Sequence, residues 1–159
     1  MKTETVQIID MQAGKAGEYL VCADLIIKGY IAYPSEQGLS YDVVADVGNK
    51  LIRVQVKTTR GEKFTPQRAQ EIPTYIFHMK RMGKGGRKVY RENDVDIFAF
   101  VSLKNKKIGY VPAKDCPTTF ILRDRDFEVA YDKVNNRGIP IKAGRYIDDY
   151  SFEKAIKTL

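Results

Sequence analysis

The stretch Tyr41 to Lys57, YDVVADVGNKLIRVQVK, constrains the chain more than any other. Two runs rich in β-branched residues, Tyr41 to Val47 and Lys50 to Lys57, flank Gly48-Asn49, a pair suited to a tight hairpin turn. A two-residue loop between Val47 and Lys50 sets the register, with Asp42 opposite Gln55 and Ser40 opposite Lys57. Opposed Cβ atoms stand roughly 4.5 to 5.5 Å apart, near enough for an Asp oxygen and a Gln amide oxygen to share one cation. Alternation along the second run puts Arg53, Gln55 and Lys57 on one face and Ile52, Val54 and Val56 on the other, the natural core side. An acid, an amide oxygen and an ammonium therefore meet on one face. An ordinary amphipathic hairpin with a solvated polar side shows the same alternation, so the hairpin alone does not choose between the two.

The rest of the chain narrows the classes. Its 159 residues suffice for one domain with a single core, and no internal repeat or Gly/Ser/Pro-rich linker divides them. Apolar runs such as Tyr19 to Ile27 fall short of the ~20 residues that a spanning helix needs. The start MKTETVQIID lacks the apolar segment of an export signal, so a cytoplasmic protein without a membrane partner is expected. Cys22 and Cys116 are isolated, without CxxC spacing, and read as buried free thiols in a reducing compartment. The single histidine, His78, excludes a zinc site of several histidines and most histidine-based general-base chemistry. Between Phe77 and Met79 it reads as a packing or phosphate-contact residue.

A formal net charge of +7 suggests a polyanionic partner, and its distribution is more telling than its total. The run Lys80 to Arg91, KRMGKGGRKVYR, carries Lys80, Arg81, Lys84, Arg87, Lys88 and Arg91 without an acid, and its three glycines allow close backbone approach to a phosphate chain. The run Lys133 to Arg145, KVNNRGIPIKAGR, repeats the pattern more thinly with Arg137, Lys142 and Arg145. Either run alone is as well read as a solvated loop. Two such runs beside the hairpin shift the balance to DNA, putting these nine residues on a DNA-binding surface and the protein with the nucleoid.

In chain order, Val6, Ile8 and Ile9 suit a short edge segment, and Ala13 to Lys28 reads as a helix ended by Gly29. Leu20, Val21, Cys22, Leu25 and Ile26 form its apolar stripe, which Glu18 extends, while Lys15, Asp24 and Lys28 fall on more solvated ground. A carboxylate aimed at a core needs a cation or donors. A first-turn Glu favoured by the helix dipole is the plainer reading. Tyr30 to Tyr33 reads as a strand stopped by Pro34, with Glu36 and Asp46 as solvated loop and turn acids. Phe64 to Glu71 suits a helix, Tyr75 to Met82 a short helix or strand, and Tyr90 a packing or DNA-touching position.

Val95 to Val101, VDIFAFV, is an apolar run typical of a strand covered on both faces, with Asp96 structural at its start. Lys104 to Lys107 turns it back into Ile108 to Val111 before Pro112. Phe120 to Arg123 and Phe127 to Tyr131 suit strands at the sheet edge, and Ser151 to Lys157 a closing helix. The fold class is α/β, in the sense of an α+β mixed sheet: a first strand, the Tyr41 to Lys57 hairpin, a second hairpin, and a helix across one face.

An Asp early in one strand, followed a hairpin later by an acid or amide, one residue and a Lys, resembles the PD-(D/E)XK nuclease motif in a variant form. Ser40-Tyr41-Asp42 stands where the Pro-Asp pair would, without the Pro, and Gln55-Val56-Lys57 stands where (D/E)XK would. GKAGEYLVCADLIIKGY resembles the helix on which many such nucleases carry a Glu, here Glu18. Glutamine in QVK, small size and the tail NNRGIPIKAGRYIDDY are most similar to group I intron-associated PD-(D/E)XK homing endonucleases.

The resemblance implies a restriction-endonuclease-like core over about 13–112 and a DNA-binding or oligomerisation elaboration over about 113–159. It implies an endodeoxyribonuclease with catalytic residues Glu18, Asp42, Gln55 and Lys57, cutting at a long, nearly palindromic site as a homo-oligomer, dimer or tetramer. A Mg²⁺ ion, for which Mn²⁺ substitutes, would be held by Asp42, the Gln55 amide oxygen, the Val56 carbonyl and Glu18, an all-oxygen set. The neutral Gln55 removes one negative charge from that set, which implies weaker metal binding or more reliance on the other ligands. A structure-selective nuclease of the Holliday-junction-resolvase kind, and a DNA-binding module that has lost catalysis, are the competing readings.

Overall fold

Helix α1, Asp10–Ile27, starts three residues earlier than the apolar pattern predicts, because the Ile9 N–H donates to Gln12 Oε1 at 3.1 Å and Asp10 opens the first turn. It ends at Gly29, whose φ of +91° favours glycine, while the Tyr30 N–H bonds back to the Leu25 carbonyl at 3.0 Å. The computed structural model describes residues 9–63, 73–83, 86–88, 90, 93–125 and 145–159. The predicted helix at 64–71, the strand at 127–131 and the lead-in at Val6 and Ile8 lie outside them. Ala13, Gly17, Val21, Cys22 and Leu25 form the buried face of α1. Ile26 does not belong to it: near the helix end it is 55% exposed.

After α1 come β1 (Ile31–Pro34), β2 (Val43–Asp46), β3 (Leu51–Thr59), β4 (Tyr75–His78), β5 (Arg81–Gly83), β6 (Gly86–Lys88), β7 (Ile97–Ser102), β8 (Lys107–Pro112) and β9 (Thr119–Leu122), and then helix α2 (Phe152–Ile156). Five strands form a mixed sheet in the order β1-β2-β3-β7-β8, antiparallel throughout except for the parallel pair β3 and β7. Pro34 is the last residue of β1 rather than its stop, as an edge strand tolerates. The predicted strand at Phe120 is real, but β9 pairs with β4 in a separate two-stranded sheet instead of extending the main one.

The hairpin register runs from Val43↔Val54 to Asp46↔Leu51, and the Val47 N–H to Lys50 carbonyl bond at 3.1 Å closes the turn. Gly48 adopts φ +93° there, and its N–H donates to Asp46 Oδ1 at 2.8 Å. Asp46 is thus a turn-capping acid. The ladder stops before Ser40, which instead donates to the Asp94 carbonyl at 3.1 Å.

Two apolar layers flank the sheet. On one side α1 and α2 pack Val21, Leu25 and Phe152 against Val43, Val54, Val56, Ile97 and Tyr110. On the other, β4 and β9 lay Tyr75, Phe77, Phe120 and Leu122 over Phe98, Phe100 and Val111. The Phe100 ring lies 4.7 Å from Phe77 and 5.0 Å from Phe120, centroid to centroid. β7 is consequently buried on both faces, as its apolar run predicts. The second layer packs on β7 and β8 and approaches β3 through β4. Ile31, Tyr33 and Leu51 stay exposed on the same side of β1 to β3, so the polar face of the hairpin opens outward.

Candidate active site

Asp42 lies one residue before β2, and its Oδ2 accepts the Val56 N–H at 2.9 Å and the Gln55 side-chain amide. The same Gln55 Nε2 donates to the Val56 carbonyl at 3.3 Å. Two oxygens, a carboxylate and a backbone carbonyl, thus converge on one point, held there by the hairpin register. The sequence predicts the amide oxygen of Gln55 at that point, whereas the structure puts the amide nitrogen there. A half-turn of the terminal amide exchanges the two atoms, converting a donor that satisfies both oxygens into a third oxygen beside them. Such a donor set fits a hard divalent cation. Among the described residues no three His, Cys, Asp or Glu side chains gather into a metal site, so an ion bound here depends on the amide and carbonyl oxygens.

Glu18 stands on α1 beside a close approach to β3 at the preceding residue, and the groove it lines is not lined by Asp42 or Gln55. A Cβ added at Gly17 would stand 2.0 Å from Thr58 Oγ1, so only glycine lets α1 lie this near β3. A groove of about 490 Å³ follows, lined by Glu18, Val56 and Lys57 together with Gly14 and residues 58–63. Lys15, one turn earlier and predicted on solvated ground, turns back to bond Glu18 at 2.6 Å. Burial raises the Asp42 carboxyl above the ordinary Asp value and the Glu18 charge adds to the rise; the Val56 N–H and the charges of Lys57 and Lys15 oppose it without cancelling it.

Lys57 lies on the same side of β3 as Gln55, half-buried. Its Nζ donates to the Tyr90 hydroxyl at 2.9 Å and to the Lys80 carbonyl at 3.3 Å. Arg53, third on this face, is committed elsewhere: its backbone N–H and Nε reach Asp96 Oδ2 at 2.8 and 3.0 Å, and Nη2 reaches Oδ1 at 2.9 Å. Asp96 thereby clamps the start of β7 to β3. Burial would raise its carboxyl, but the Arg53 hydrogen bonds and charge outweigh that and hold it below the ordinary range.

The remaining predicted residues scatter. Lys80 is exposed at the foot of the β5–β6 hairpin, in whose ladder Arg81 pairs with Lys88 and Met82 with Arg87. Arg145 is exposed, with its guanidinium 5.0 Å from the Phe120 ring centroid. Lys84, Arg91, Arg137 and Lys142 lie outside the described residues. His78 is exposed at the end of β4, its Nδ1 3.3 Å from Thr119 Oγ1. Glu36 is exposed, as a solvated loop acid should be. Cys22 is buried and free; Cys116 is free but only half-buried, and burial pushes its thiol up to about 12. Asp24, predicted as solvated, is half-buried and accepts the Tyr110 hydroxyl at 2.6 Å. Sequence reasoning missed Lys15 and the Lys57 to Tyr90 contact. The first was legible as an i,i+3 pair on one helix face, whereas the second joins residues 33 apart and leaves no local signal.

Comparison with known proteins agrees with this fold. The family model described as PD-(D/E)XK endonuclease matches residues 10–137, which span α1, the hairpin and β7 to β9. The solved structure of a bacterial homing endonuclease, I-Ssp6803I, superposes with a TM-score of 0.58 at 18% identity, covering 81% of this chain and 85% of that one. At that identity the likeness is one of fold. No curated protein sequence matches the chain.

Proposed function

The chain belongs to the PD-(D/E)XK endonuclease family, and on that premise we propose that it is a Mg²⁺-dependent endonuclease hydrolysing phosphodiester bonds in double-stranded DNA at a specific site. The observation that carries this reading is the convergence of Asp42 Oδ2 and the Val56 carbonyl on one point, with Lys57 next along the same face. Asp42, the Val56 carbonyl, the Gln55 amide oxygen after its half-turn, and Glu18 would hold the ion. Mg²⁺, or Mn²⁺ in its place, supplies Lewis-acid polarisation of the scissile phosphate when bound.

The chain's own groups do the rest. Glu18 contributes the negative charge that Gln55 lacks, and Lys15 balances that charge before an ion arrives. Lys57 orients the attacking water and stabilises charge on the phosphate oxygens. Lys80, Arg81, Lys84, Arg87, Lys88 and Arg91, with Arg137, Lys142 and Arg145, bind the backbone phosphates and set the register of the duplex. Small size, QVK and the fold shared with a homing endonuclease support homing as the biological role. In that reading a cytoplasmic, nucleoid-associated homo-oligomer supplies one active site per subunit.

The test is cleavage of a high-complexity duplex library in Mg²⁺ with the ends sequenced. Wild type should cut at one long recurrent site. Asp42→Ala and Lys57→Ala should each slow cutting by on the order of 10²- to 10³-fold while retaining DNA binding. Unchanged cutting by Asp42→Ala would remove the metal assignment, and cutting that follows branch structure would replace homing with junction resolution.

A further inference from the structure

Gly17 and Thr58 meet where α1 lies against β3, and each is the chain neighbour of a residue assigned above to the site. Gly17 precedes Glu18, Thr58 follows Lys57, and Glu18, Lys57 and Thr58 line one groove. A Cβ on residue 17 would stand 2.0 Å from Thr58 Oγ1 and 3.1 Å from Thr58 Cβ and Cγ2, so the hydroxyl oxygen is the atom pressed on the glycine. That oxygen is buried and has no hydrogen-bond partner among the described residues. A buried hydroxyl without a partner is costly, and a valine of the same shape would remove the cost. Valine would not keep the spacing. A methyl group is larger than a hydroxyl oxygen and would hold the helix on the order of tenths of an ångström farther off.

Thr58 is fixed from its other side: it pairs with the fully buried Val101 in the parallel β3–β7 ladder. A wedge at this contact therefore moves α1, and Glu18 with it, rather than β3. We propose that Thr58 is a positioning residue for Glu18, its hydroxyl oxygen and the bare Gly17 forming the seat that sets the Glu18 carboxylate at its depth in the groove beside Lys57. This rests on the reading of Glu18 as a group that helps hold the ion. The Glu18 charge already acts on the Asp42 carboxyl, so the depth of one bears on how the two share a cation.

The test compares wild type, Thr58→Val, Thr58→Ser and Gly17→Ala. Binding of Mn²⁺ alone to DNA-free protein is read by electron paramagnetic resonance, and cleavage by its single-turnover rate. Thr58→Val should lose about tenfold in Mn²⁺ affinity and in rate, as for other groups that orient a metal-holding side chain. Thr58→Ser keeps the oxygen and should recover most of both losses. Gly17→Ala drives the wedge farther and should slow cleavage by as much as about 10²-fold; if that chain does not fold, the two Thr58 variants carry the test. Dependence on Glu18 separates positioning from packing. In a Glu18→Gln background, Thr58→Val should weaken Mn²⁺ binding no further.

A Thr58→Val loss that persists in full beside Glu18→Gln would overturn the positioning role. Glu18→Gln impaired beside a Thr58→Val that behaves as wild type would also overturn it, and would leave the reading of Glu18 standing. Glu18→Gln that binds Mn²⁺ and cuts like wild type would sink that reading and the seat with it. Wild type that cuts no DNA, yet shows the Glu18-dependent loss of Mn²⁺ in Thr58→Val, would remove the nuclease activity and keep the seat.

Discussion

Asp42 and Asp96 each accept a backbone N–H from β3, at 2.9 Å from Val56 and 2.8 Å from Arg53, and each meets a β3 side chain. For Asp96 that side chain is a guanidinium, which holds the carboxyl below its ordinary range. For Asp42 it is a neutral amide, and burial leaves the carboxyl above it. Asp96 is a finished ion pair that ties β7 to β3. Asp42 meets an amide where Asp96 meets a guanidinium, and burial outweighs the nearby charges of Lys57 and Lys15.

The largest expected effect is on the finished pair. Arg53→Ala leaves Asp96 without its guanidinium; because Arg53 is about a third exposed, the cost should be about 2 kcal/mol, seen as a melting temperature lower by roughly 4 to 8 °C. No loss of stability would remove the contrast with Asp42. Next is Gln55→Glu, which restores the charge that the amide omits. It should tighten Mg²⁺ about tenfold in isothermal titration and destabilise the metal-free protein, since the introduced carboxylate would repel Asp42. An unchanged affinity would show that the ion does not meet residue 55.

The smallest effect compares Asp42→Asn with Asp96→Asn in EDTA at neutral pH. The folded carboxyl of Asp96 titrates below its unfolded value of 3.8, so its stabilisation is present above 3.8 and fades as pH falls through the folded value. Asp42 titrates above 3.8 when folded, so its ionisation costs stability, beginning near 3.8 and complete once pH has risen past the folded value. At neutral pH the two substitutions should therefore move the melting temperature in opposite directions, Asp96→Asn down and Asp42→Asn slightly up. Both moving down would break the comparison.

The sequence showed the hairpin because its determinants are local. Gly48-Asn49 fixes the turn, and alternation at Ile52, Val54 and Val56 fixes the faces. Alternation does not say which end of an amide is presented, so the orientation of Gln55 was beyond it. The partners of a strand are no more legible. TFIL at 119–122 specifies extended backbone, but its pairing with β4 is set by the aromatic stack on Phe100. The clamp between Arg53 and Asp96 joins residues 43 apart, and the parallel pairing of β3 with β7 is equally non-local. Ile26 misled because helical spacing alone does not mark where the buried face of α1 stops, which is at Leu25.

The same separations order the assembly of the site in time. Asp42 and Gln55 are 13 residues apart within one hairpin, a unit that closes in about 1 to 10 μs. The anchor of Lys57 waits on Tyr90, and the seat of Tyr90 waits on Phe98 and the slower parallel pairing of β7. A chain part-way through folding therefore brings Asp42 and Gln55 together before it seats Lys57 on Tyr90.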